Sequence, residues 1–129
     1  MELRTRLGLV AGLVLVLQAG ASSQASAQAA GPAGVTPAVI AKGDSIFHKT
    51  GLCYACHGSN AQGAVGPSLT DAEWIHGDGS YDMIVATVTS GIPKEKAKNG
   101  IPMPAKGGSS ITDEEVKAVA AYVYSLSHK

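Results

Sequence analysis

Five consecutive residues constrain this chain more than any others: Cys53-Tyr54-Ala55-Cys56-His57. They contain both of its cysteines. Three chemistries compete for two thiols at this spacing. A thioredoxin-like redox pair needs a βαβ setting. Structural zinc needs a fourth ligand, usually from a second Cys/His pair at matched spacing. Covalent attachment of a c-type haem needs a histidine directly after the second cysteine, because each thiol adds to a porphyrin vinyl group and the next residue delivers its imidazole to the iron.

The rest of the chain decides among them. Only 5% of the 129 residues are aromatic although 45% are hydrophobic, so the apolar surface is mostly Ala, Val, Ile and Leu. Aromatic rings supply much of the buried area of most cores, and a short chain without them needs something else at its centre. The first residues predict export. Arg4 and Arg6 precede an uncharged apolar run from Leu7 to Leu17, and small residues follow with Ala25-Ser26-Ala27 and Ala27-Gln28-Ala29 as cleavage sites. The run ends at Gln18, short of the roughly 20 residues a membrane span requires. This reading divides the chain into a signal peptide at 1–27, an Ala/Gly/Pro-rich flexible leader at 28–35 and one folded domain at 36–129; cleavage after Ala29 fits as well. No stable membrane insertion is expected after cleavage. Ten basic and ten acidic residues balance, which argues against a nucleic-acid partner.

The domain reads as all-α. Thr36-Pro37 opens a helix to about Lys49, with Thr as N-cap, Pro at the first helical position and Val39, Ile40, Ile46 and Phe47 on one face. Gly43 lies on the same face, where its use is close approach by another element. Ser80 and Gly91 bracket a helix over 81–90, with Ile84, Val85 and Val88 packing inward. Thr112-x-x-Glu115 is a capping box before a stripe of Val116, Val119, Ala120, Val123 and Leu126. Thr70-x-x-Glu73 predicts one more short turn through Trp74. Ile92 to Ser110 is a long irregular stretch with three prolines, and loops of that length in a small domain are functional or disordered. No strand alternation or internal repeat is visible.

An exported, helical, aromatic-poor domain favours haem over the redox pair and over zinc. The sixth iron ligand then sets the function. Beyond the signal peptide only Met83 and Met103 remain. Met83 falls in a predicted helix, where core packing is the plain reading. Met103 stands between Pro102 and Pro104 in the long loop, and flanking prolines stiffen the backbone around a thioether. Of the rival histidines, His48 is close in sequence to the attachment motif, His128 is in a terminal tail and His76 is the serious competitor. Met103 ranks first.

At these residues the chain resembles the class I c-type cytochromes, small exported monohaem proteins. Gly43 and Phe47, Cys53-x-x-Cys56-His57, Gly66-Pro67-x-Leu69, Met103-Pro104 and Tyr122 stand in that family's order. The resemblance implies three to five helices around one covalently bound haem c and its iron, with His57 and Met103 as axial ligands. It implies that the first and last helices cross where Gly43 lets Tyr122 approach, and that the Pro67 carbonyl accepts a hydrogen bond from His57. Trp74 is a candidate cofactor contact through its indole, with simple packing as the alternative. Relatives that resemble oxidase-associated cytochromes carry an aromatic soon after Met-Pro; Ala105-Lys106-Gly107 here implies a more open pocket. The run Gly77-Asp78-Gly79-Ser80 also resembles cytochrome domains attached to terminal oxidases.

Two protein ligands on the iron leave no vacant site, so the expected chemistry is one-electron transfer and not enzymatic turnover. The favoured function is a bacterial periplasmic carrier, a monomer passing electrons between a donor and an acceptor redox protein. The alternative is a haem c subunit of a larger dehydrogenase or terminal-oxidase complex. Lys94, Lys96, Lys98 and Lys106 against Glu95 predict a positive rim beside Met103, while the stretch between Lys49 and Lys94 holds Asp71, Glu73, Asp78 and Asp82 and no Lys or Arg.

Overall fold

A computed structural model describes residues 31–129. The expected signal peptide at 1–27, with the start of the leader at 28–30, lies outside the described residues. Of the leader, residues 31–35 form a turn in which the Val35 N–H donates to the Pro32 carbonyl at 3.0 Å.

Helix α1, Pro37–His48, starts at Thr36, whose extended backbone lets its hydroxyl accept the Val39 N–H at 3.3 Å. Pro37 supplies a preset φ at a position with no N–H to lose. Gly43, Ile46 and Phe47 form the buried face. Helix α2, Tyr54–His57, is a single turn carrying the last four residues of the cysteine motif. Helix α3, Tyr81–Ser90, is capped by the Ser80 hydroxyl at 3.4 Å from the Met83 N–H and ends at Gly91, whose φ of 71° suits glycine. Ile84 and Val88 point inward; Val85 is half-buried against the same core. Helix α4, Asp113–Ser127, has both halves of its capping box. The Thr112 hydroxyl accepts the Glu115 N–H at 3.2 Å, and the Glu115 carboxylate accepts the Thr112 N–H at 2.8 Å. That backbone bond holds the Glu115 carboxyl below its usual range.

The core forms where α1 and α3 pack on α4. Phe47 is fully buried and meets Tyr122 edge-on, with ring centroids 5.4 Å apart at 61°. Gly43 does what its place on the inward face suggests. A Cβ built there runs into the Ala118 carbonyl and stands 2.8 Å from Tyr122 Cβ, so the two backbones touch with no room for a side chain. Tyr81 ties α3 to α4 by donating its hydroxyl to the Lys117 carbonyl at 3.2 Å.

Two stretches differ from expectation. Thr70 to Trp74 is not a helical turn. The polar side chains there bond locally instead: Asp71 accepts the Glu73 N–H at 3.1 Å, and the Ser68 hydroxyl accepts the Thr70 N–H at 3.3 Å. Such bonds give the backbone an alternative to a helix. The long stretch after Ile92 holds two short 3-10 turns, Lys98–Gly100 and Ala105–Gly108. It also holds an isolated antiparallel bridge between Ile92 and Met103, the sole β pairing among the described residues. The architecture is otherwise all-α.

Candidate functional site

The chain enters the motif through Leu52, a non-glycine residue at φ 54°. Cys53 then begins the single turn of α2, in which the His57 N–H donates to the Cys53 carbonyl at 3.0 Å. One helical turn therefore brings Cys53, Cys56 and His57 to the wall of a single cleft. Both cysteines are free thiols. Burial pushes the Cys53 thiol pKa up.

His57 is the one buried polar residue of the described core, at 8% exposure. Its Nδ1 lies 2.9 Å from the Pro67 carbonyl oxygen. A carbonyl only accepts, so Nδ1 carries the proton and Nε2 keeps its lone pair free for a metal. Burial lowers the pKa of the ring, and the Pro67 bond opposes that shift. Gly66 makes the arrangement possible: a Cβ there would stand 2.9 Å from His57 Cε1 and 3.0 Å from Nδ1. The loop from 58 to 66 folds back onto the motif, with Gly63 N–H on the His57 carbonyl and Gly66 N–H on the Cys56 carbonyl, both at 2.8 Å.

Met103 lines the same cleft. It is fastened to the end of α3 by two backbone hydrogen bonds with Ile92, at 2.8 and 3.0 Å. Gly91 leaves space for this, because a Cβ there would strike the Met103 carbonyl. Met83, by contrast, is outside the cleft lining, 40% exposed and packed near Gly77. The histidines separate in the same way. His48 bonds carbonyls through both ring nitrogens, and His128 stacks on Tyr124 at 3.9 Å. Of the rival histidines, His76 joins Met103 and His57 in the cleft. Trp74 also lines it, half-buried, and its indole N–H has no acceptor among the described residues. Gly79 permits that placement, since a Cβ there would collide with the indole ring.

The bridge to Ile92 and the seat that Gly66 gives His57 were not legible as such. The first joins residues eleven apart through backbone alone, and the second shows in the sequence only as a glycine before Pro67.

Counted out into the open solvent at its mouth, the cleft spans about 1280 Å³ of empty space. Its remaining walls are mostly apolar, with Phe47, Leu69, Ile84, Val88, Val119 and Val123 among them. Two free thiols, an imidazole with an unpaired Nε2 and a thioether line a mostly apolar space, with the Trp74 indole among its walls. That donor set fits haem c: thiols for its vinyl groups, and nitrogen and sulfur for its iron. No arrangement of three or more His, Cys, Asp or Glu suited to a bare metal ion occurs among the described residues.

The family model described as cytochrome C oxidase, cbb3-type, subunit III, matches residues 38–123. Over 92 residues the chain is 44% identical to the cbb3-type cytochrome c oxidase subunit CcoP of Rubrivivax gelatinosus, an alignment covering 70% of this chain and 27% of that protein. It is 35% identical over 95 residues to the CcoP subunit of Azospirillum sp. (strain B510), covering 67% of this chain and 28% of that one. The chain thus spans less than a third of the length of these curated relatives. Among solved structures, cytochrome cL from Methylophaga aminisulfidivorans MPT shares the fold with a TM-score of 0.55 at 22% identity, over 73% of this chain and 57% of that one. A match running from the second residue of α1 into α4, on a helical fold shared with cytochrome cL, shows that the chain belongs to the cbb3-type subunit III family of c-type cytochrome domains, which hold haem c covalently.

Proposed function

We propose that this chain is an exported one-electron carrier in which Cys53 and Cys56 form the two thioethers and His57 and Met103 take the axial positions. The observation that carries this is the convergence of those four side chains on one apolar cleft. The haem supplies an iron that accepts and releases one electron. The chain supplies the rest. Pro67 fixes the tautomer and orientation of His57, the bridge to Ile92 holds Met103, the apolar walls exclude water, and the Trp74 indole is a donor for a propionate. A neutral thioether ligand favours the reduced state and raises the potential.

Attachment is tested by expression with the cytochrome maturation machinery. The wild-type protein is expected to keep its colour through acid–acetone extraction, and a Cys53→Ser/Cys56→Ser variant to be colourless or to release its pigment. Colour lost from the wild type on extraction would end the proposal.

Docking falls to the mouth of the cleft. Leu52, Val65, Ile75 and Ile101 line it at 44–52% exposure. Lys94, Lys96 and Lys98 are exposed alongside, and Lys98 lines the cleft itself. The fourth lysine of the expected rim is different: Lys106 is bonded to Asp113 at 2.8 Å, so its charge is matched locally. An apolar ring beside three exposed lysines suits brief contact with an acidic redox protein. Raising the salt from about 10 mM to 150 mM shortens the Debye length from roughly 30 to 8 Å. The second-order rate with an acidic partner is therefore expected to fall about tenfold, and a Lys94→Glu/Lys98→Glu variant to lose most of that dependence in stopped-flow traces. An unchanged salt response would show that the lysines do not steer docking.

A second reading has its own support. The relatives are named as oxidase subunits, and an apolar mouth also suits permanent burial against a larger dehydrogenase or terminal-oxidase complex. Co-purification with one large protein favours the subunit; a monomer reacting with several partners favours the carrier. The basic, apolar N-terminal segment and its Ala-x-Ala sites support a periplasmic location. Among the described residues no helix is long and apolar enough to cross a membrane.

A further inference from the structure

Outside the cleft, one side chain is bonded in a way that its neutral form cannot satisfy. His48 ends α1. Its Nδ1 lies 2.9 Å from the Asp44 carbonyl oxygen and 2.9 Å from Asp44 Oδ1, and its Nε2 lies 2.7 Å from the Ser59 carbonyl oxygen. Every one of these partners is an acceptor. Neutral imidazole has a single N–H, so its other nitrogen would turn a lone pair on an oxygen. Only the imidazolium donates on both sides. The Ser59 bond, then the Asp44 carbonyl, holds the pKa above its ordinary value of 6.5, with burial pulling the other way.

Ser59 belongs to the loop that follows the cysteine motif. That loop is bonded to the Cys56 and His57 carbonyls, and Pro67, just after it, holds His57 Nδ1. His48 thus fastens α1 to the segment that orients the histidine. The groups facing it are few. Asp44 shares its helix. From α4, Tyr122 stands with its ring 6.1 Å away, its hydroxyl pKa raised by burial and then by Asp44. Residues 58–66 carry no titratable side chain, and Lys49 is the next residue in the chain.

We propose that His48 is a positioning residue whose proton is linked to the electron: as the imidazolium it clamps the loop that holds Pro67 on His57, and it binds its proton more weakly when the iron is ferric. Removing an electron adds a positive charge in the cleft, which disfavours an imidazolium whose ring lies 5.0 Å from that of Phe47, a residue of the cleft wall. The potential is accordingly higher with His48 protonated and falls as pH rises through its titration. The inference rests on haem attachment at Cys53 and Cys56.

The test is the midpoint potential of the intact haem-loaded protein from about pH 5 to pH 9, the range in which histidine charge changes. Wild type is expected to show a falling step corresponding to about a threefold difference in proton affinity, which at 59 mV per tenfold for one electron is about 30 mV. A His48→Gln variant keeps an N–H for the Ser59 carbonyl but does not titrate there, and is expected to lose the step. His128→Gln, outside the cleft, is expected to retain it. A step that persists in His48→Gln overturns the proposal. A wild type with no step overturns it too, while leaving attachment intact; a colourless wild type overturns both. Nuclear magnetic resonance titration of the His48 ring in the wild-type protein needs no variant, and equal pKa values in the ferric and ferrous states would also defeat the linkage.

Discussion

A Met103→Ala variant is expected to lose the weak far-red charge-transfer band of the ferric protein and to drop in midpoint potential. The drop is expected to be on the order of 0.1–0.3 V, part of the roughly 0.8 V over which axial ligands set haem potentials. The reason is local. Met103 is the methionine that lines the cleft, held by two backbone bonds to Ile92, whereas Met83 is half exposed and faces Gly77. Truncation at Cβ leaves the backbone bridge in place and removes the Cγ methylene, the sulfur and its methyl, so the fold is expected to be retained while the proposed ligand is lost. The reduced variant is then expected to bind carbon monoxide at neutral pH, and the wild type is expected to resist it. A far-red band that survives in Met103→Ala would transfer the role to another residue. His76, the remaining candidate in the cleft, would be the next to replace.

Gly43→Ala is expected to destabilise the protein by about 2–3 kcal/mol, although alanine is the better helix former by about 1 kcal/mol. The added methyl meets the Ala118 carbonyl, which is backbone within α4 and cannot rotate away. Relief requires α1 and α4 to separate, which loosens the edge contact of Phe47 on Tyr122. For a domain of this size the thermal midpoint is expected to fall by on the order of 10–20 °C. An Ala41→Gly variant on the exposed side of α1 isolates helix propensity and is expected to cost only about 1 kcal/mol. Calorimetry of both variants decides the matter: a Gly43→Ala protein as stable as wild type would mean that the two helices do not touch there.

Much of this molecule was legible because its signals are local. The caps at Thr36, Ser80 and Thr112 mark helices through bonds spanning three residues, and all three helices begin where those residues place them. Cys53, Cys56 and His57 come together within one turn of backbone, so their spacing alone predicts a shared wall. Thr70 to Trp74 misled for a related reason. Asp71 and Ser68 can cap a helix or close their own turns, and with no apolar stripe behind them they do the latter. The long stretch after Ile92 was opaque because what orders it is distant in sequence or backbone in kind: a bridge across eleven residues, a Lys106–Asp113 ion pair, and left-handed conformations at Asn99 and Lys106 that side-chain type alone does not announce. The role of His48 was hidden likewise, since its partners are carbonyl oxygens that every residue possesses.

The pairing of Met103 with Ile92 makes the sulfur-bearing arm an extension of α3. Carrying the whole arm away from the cleft would mean breaking main-chain bonds next to a helix terminus, whereas the thioether alone can still turn about its own torsions. Release of the arm under denaturing stress should therefore track the fraying of that terminus, with amide hydrogens at 92 and 103 exchanging at one rate.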